Sequence, residues 1–168
     1  MSGWSKKVSC CAVLILLLAA CTGIQQETRR PDPFSLALPR VGGGTVRLSL
    51  YRGEVLLVDF FTTWSGATQV AVPGYIHLHE KYREKGLSFI GIVMDDLGET
   101  VATPFVTGME ITYPVAVATQ SIRKGTSPFG EINASPILVI FDRNGNLHKI
   151  IVGRVPIKDL EKVILELL

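Results

Sequence analysis

Residues 55–61 read Val-Leu-Leu-Val-Asp-Phe-Phe, a run whose side chains are apolar on both sides of any strand they build. Such a strand needs cover on both faces, as in the central sheet of an α/β protein. Residues 87–94 and Ile137–Phe141 repeat the pattern, and helical stretches are predicted over 67–85, 100–107 and 159–168. Pro73 is expected to interrupt the first helix and Gly86 to end it, because glycine reaches a left-handed conformation cheaply. Residues 34–38 and 45–48 alternate around Gly42-Gly43-Gly44 and suggest an N-terminal hairpin; Asn144-Gly145 suggests another before residues 147–152. Strands alternating with helices give one α/β domain with a covered sheet.

The N-terminal residues read as an address. Lys6 and Lys7 precede an apolar stretch, residues 8–20, shorter than the roughly 20 residues of a comfortable membrane span. A basic flank and a small-residue exit mark a cleaved secretory signal. Leu18-Ala19-Ala20-Cys21 resembles a bacterial lipobox, which implies an acylated Cys21 as the new N-terminus. The expected organisation is a signal peptide over 1–20, a lipidated Cys21 and flexible tether over 21–33, and the folded domain over 34–168. Acyl chains contributing about 0.8 kcal/mol per buried methylene would hold the protein on a membrane, facing away from the cytoplasm. Thr22, where Asp would mark inner-membrane retention, implies the outer membrane in a host that has one.

Processing alters the balance of charge and sulfur. Losing Lys6 and Lys7 from the 17 basic residues leaves a number equal to the 15 acidic ones. No Lys/Arg run exceeds two residues, so nucleic acid is not an expected partner. Of the three cysteines, Cys10 and Cys11 fall in the leader and Cys21 is the lipidation site. His77 and His79 stand two apart on a predicted helix and point to different faces, which gives no shared metal site; no metal or cofactor is expected.

Residues 57–68, Leu-Val-Asp-Phe-Phe-Thr-Thr-Trp-Ser-Gly-Ala-Thr, followed by Pro73, resemble the active-site segment of TlpA/ResA-type envelope thioredoxins of the redoxin superfamily. In that pattern a strand leads into Trp-Cys-x-x-Cys at a helix N-terminus, with a proline five residues later. The likeness continues through Ala134-Ser135-Pro136 and the strand and turn that follow, and through Gly153-Arg154-Val155-Pro156 before the last helix. It implies a thioredoxin-like three-layer α/β/α fold with a central mixed sheet, a cis Pro136, and an N-terminal hairpin extension.

The resemblance breaks at the sulfurs. The family's first cysteine, whose thiolate a helix N-terminus stabilises, is Ser65; the resolving cysteine is Thr68; the intervening proline is Ala67; the acid shortly before the kinking proline is Ala71. Asp59 matches the buried acid that serves the resolving cysteine, and reads here as a retained structural carboxylate or a vestige of proton transfer. Ser65 is accounted for as a helix N-cap, with a nucleophilic or thiol-activating hydroxyl as the sharper reading. No catalytic residue follows firmly; Ser65, Thr68 and Asp59 are vestigial candidates. Backbone beside Pro136 pairs with extended peptides in relatives, so Trp64, Ser65, Thr68, Ser135 and Pro136 form a candidate peptide-binding groove. The leading expectation is a membrane-tethered, non-redox module that binds an envelope protein or peptide. The alternative is a thiol:disulfide oxidoreductase or peroxidase-like antioxidant protein, and a second is a Ser65-dependent transferase.

Overall fold

The computed structural model describes residues 31–168; the expected leader, Cys21 and tether residues 22–30 lie outside them. Seven strands and four α-helices follow in the order β1 (Ala37–Pro39), β2 (Thr45–Arg47), β3 (Val55–Phe61), α1 (Gly66–Tyr82), β4 (Leu87–Val93), α2 (Glu99–Gly108), β5 (Val115–Val117), α3 (Gln120–Arg123), β6 (Ile137–Phe141), β7 (Leu147–Val152) and α4 (Ile157–Leu167). The sheet order is β5-β4-β3-β6-β7, parallel on the β3, β4 and β5 side and antiparallel across β6 and β7. Every residue of β3 and β4 is buried, as the doubly apolar runs require. This is the thioredoxin-like α/β fold that the resemblance implies.

Alternation along β3 divides the core. Val55, Leu57 and Phe61 join Ala71, Tyr75 and Leu78 of α1, Ala102 of α2, and Leu160 and Ile164 of α4. Leu56, Val58 and Phe60 point the other way, onto Leu38 and Val46 of the hairpin, Phe34, Leu48 and Ile122 of α3. The first outer layer is therefore helical, and the second is built by the hairpin, its flanking turns and the short α3. Strands β1 and β2 form a separate antiparallel pair. Its turn sits on the outer edge of β5 through a bridge between Arg40 and Ala116 and a Val41 N–H bond to the Val115 carbonyl, 2.9 Å. Among the described residues no helix is long and apolar enough to cross a membrane.

Two local expectations need correction. Helix α1 runs through Pro73 without a break. Proline's fixed φ is compatible with a helix, and the Gln69 carbonyl it leaves unpaired lies on the exposed face, where water serves it. Residues 33–35 are a 3₁₀ turn rather than strand, because the Asp32 carboxylate accepts the Phe34 N–H at 3.0 Å just ahead of it. Gly86, at φ 88°, ends the helical segment as expected. Gly91 faces Asp59 across the β3–β4 ladder; a Cβ there would stand 2.9 Å from Phe61 Cε1 and 3.6 Å from Tyr113 Cε2, so glycine is what lets these rings close over the sheet.

Candidate active site

The site lies past the C-terminal ends of parallel strands β3 and β4, where open α/β sheets place their ligands. The chain leaves β3 at Phe61 and must become helical by Gly66. Ser65 makes the change possible: its backbone is extended, at φ −72° and ψ 118°, and its Oγ accepts the Thr68 N–H at 3.4 Å. The Ser65 carbonyl takes the Gln69 N–H at 3.1 Å, and the Ser65 N–H donates to the Thr62 carbonyl at 3.2 Å. Ser65 is 7% exposed and caps the positive end of a 17-residue helix, a place that favours an anion.

Both flanks of this loop are tied down. The Ser135–Pro136 peptide is cis. Ser135 Oγ accepts the Thr62 N–H at 2.8 Å and lies 3.0 Å from Thr62 Oγ1, while the Pro136 carbonyl accepts the Gly153 N–H at 2.8 Å. On the other flank, the Asp95 carboxylate accepts the Thr63 N–H at 2.9 Å and the Thr63 hydroxyl at 2.8 Å. Arg123 of α3 donates to the Asp95 carbonyl at 2.7 Å, and also to the Met94 carbonyl. Asp95 and Arg123 were not candidates from sequence. The available signal was an acidic residue two positions after a mostly apolar strand, at the end of the sheet where sites form.

The sequence candidates separate by depth. Trp64 is 75% exposed, Ser135 is half-buried and Pro136 is buried. Thr68 presents no surface, and its hydroxyl has no hydrogen-bond partner among the described residues. Asp59 is equally buried, with both carboxylate oxygens unpartnered. Burial alone pushes its pKa up to about 7, so it holds a proton below neutral pH. Its charge is felt by Tyr75 and Tyr113, both raised chiefly by their own burial. Beyond them His79 meets Tyr113 and Phe89 edge-on, with ring centroids 6.0 and 6.1 Å apart, and burial lowers its pKa. Neither histidine takes part in the hydrogen bonds that build the Ser65 loop.

The thiol-disulfide oxidoreductase ResA of Bacillus cereus is 28% identical over 121 residues, 71% of this chain and 66% of that protein, so the match spans just under two thirds of that relative's length. ResA of Geobacillus kaustophilus is 24% identical over 163 residues, 90% of each chain. A thiol:disulfide interchange protein of the thioredoxin family from Chlorobium tepidum shares the fold, with a TM-score of 0.69 at 24% identity over 79% of this chain and 92% of that one. These findings correct the expectation of a non-redox binding module: the relatives carry thiol–disulfide oxidoreductase names, and none points to a binding or assembly role. The ResA-like pattern is continuous over most of the sequence, and the Redoxin profile matches residues 26–164; the chain belongs to the Redoxin family.

Proposed function

We propose that the protein catalyses thiol–disulfide exchange outside the cytoplasm, as a redoxin whose attacking sulfur comes from an external low-molecular-weight thiol. The family supports the reaction class, and the residues set the form it takes. An alcohol cannot enter a disulfide, and Ser65 and Thr68 occupy the two sulfur positions. The observation that carries the reading is Ser65 itself, a nearly buried hydroxyl on the N-terminus of α1 in a loop clamped by Ser135 and Asp95. Free amides and the helix dipole there favour a thiolate over a thiol.

The step balances without protein sulfur. The bound thiolate attacks one sulfur of a substrate disulfide, a new mixed disulfide forms as the old S–S bond breaks, and the departing thiolate takes a proton. Solvent supplies that proton, because Asp59 is fully buried and has no hydrogen-bond partner among the described residues to relay one. The same reading assigns Cys21 to lipid attachment, supported by the residue pattern 18–21; mass spectrometry of the N-terminal peptide from native membranes tests it, and an unacylated Cys21 would overturn it.

The central test is disulfide reduction with and without added glutathione. The protein is expected to accelerate exchange only when the external thiol is present. A rate with glutathione no greater than the uncatalysed one would sink the proposal.

A further inference from the structure

A cleft of about 340 Å³ opens between the second turn of α1 and the segment leading into α4. Val70, Ala71, Val155, Pro156 and Ile157 supply the apolar half of a lining that is as much polar as apolar, and Arg154 is the single charged residue in it. Among the described residues no carboxylate lies within ion-pair distance of Arg154. Val70 is 60% exposed, an apolar side chain left uncovered beside that cation.

Hydrogen bonds connect the cleft to the site. Ser65 is bonded to Thr62, Thr62 to Ser135, and Pro136, the next residue, to Gly153, which precedes Arg154. Along α1, Val70 lies five residues past Ser65, about 7.5 Å at the helical rise. A mixed polar and apolar lining with one guanidinium that has no carboxylate partner among the described residues suits a ligand that combines a neutral, peptide-like body with a carboxylate, which arginine can grip in bidentate fashion. A volume of this size suits a small molecule rather than a folded partner.

We infer that this cleft is the subsite for the external thiol, which carries a carboxylate that Arg154 pairs and a sulfur set several bonds away, toward the N-terminus of α1. The inference rests on the exchange reading above and adds the class of thiol. A thiol lacking a carboxylate has no partner for Arg154, and one with its carboxylate beside its sulfur is too short to bridge the two points.

Three probes separate the claims on the full chain: glutathione, S-methylglutathione, which keeps the carboxylates without the sulfhydryl, and 2-mercaptoethanol, which has no carboxylate. S-methylglutathione is expected to bind and to shift the amide resonances of Val70 and Val155. Arg154→Gln should weaken that binding about tenfold, the worth of a charge-assisted contact, while Arg154→Lys should retain part of it. Binding that is absent, or unchanged in Arg154→Gln, overturns the subsite. Binding at the cleft without catalysed exchange upholds the subsite and removes the exchange reading. Exchange as fast with 2-mercaptoethanol as with glutathione, and unaffected by Arg154→Gln, does the reverse.

Discussion

The two sides of β3 carry the same sheet and opposite chemistry. On the hairpin side Leu56, Val58 and Phe60 join an apolar cluster, Phe60 packs edge-on against Phe129 at 4.9 Å, and the one polar strand partner, Ser88 opposite Leu56, is hydrogen-bonded to Glu54. On the helical side the same strand presents Asp59, whose charge reaches Tyr75 and Tyr113; these tyrosines, Thr68 and His79 each have a buried polar atom that finds no partner among the described residues. A buried group left unpaired costs about 1–3 kcal/mol, so the helical side gives up stability that the hairpin side keeps. The unpaired groups run from Thr68 at the start of α1 through Tyr75 to His79 further along the same helix, so the cost is spread over the helical face.

Substitutions can break this contrast from either side. The largest effect is expected from Phe60→Ala on the apolar side, a loss of about 3–5 kcal/mol that urea unfolding should find equal at pH 5 and pH 8. Next comes Asp59. Its carboxyl has a folded pKa near 7 against an ordinary 3.8, so between these values the native state keeps a proton that the unfolded chain has released. Stability from this group is intact below about pH 4 and falls as pH rises to 7, by on the order of 4 kcal/mol. His79, with its lowered pKa, works in the opposite direction as pH falls, so the difference between wild type and Asp59→Asn isolates the carboxyl. That difference should grow toward high pH, with the Asn variant the more stable at pH 8; a pH-independent difference would mean that Asp59 is not desolvated. The smallest effect is Tyr113→Phe, expected to raise stability by about 1 kcal/mol because it deletes an unpaired hydroxyl. A loss instead would show that solvent pairs that hydroxyl and that the helical side is better satisfied than its protein contacts imply.

Much of this architecture was legible in the chain. Val55–Phe61 reads as a doubly covered strand, and the resemblance running from Asp59 through Trp64 to Pro73, with Ser135-Pro136 far downstream, implies that these segments meet; Ser135 does bond to Thr62. What stayed hidden depends on long-range geometry. The bonds from Thr63 to Asp95 and from Arg123 to the Asp95 carbonyl join residues 32 and 28 apart, and no local pattern announces a side chain that braces another segment's backbone. Thr68 reads as a groove residue in the sequence because helical position alone does not show how deeply the third residue of a helix is sunk. The helix through Pro73 was missed because a proline on a wet face forfeits only one hydrogen bond. The reading of function erred by weighing two missing sulfurs against everything else the sequence shares with its relatives.

The hairpin turn that rests on β5 has a consequence for how copies of this molecule can meet. By occupying the far side of Val115 and Ala116, it leaves the five-stranded sheet a single bare margin, along β7, where Leu147, Ile150 and Val152 are all more than half exposed. Lys149 and a register shift opposite Phe141 guard that strand against casual pairing. Two molecules joined there edge to edge would cover the one open edge of the five-stranded sheet among the described residues, so through this sheet the contact closes as a pair rather than propagating into a filament.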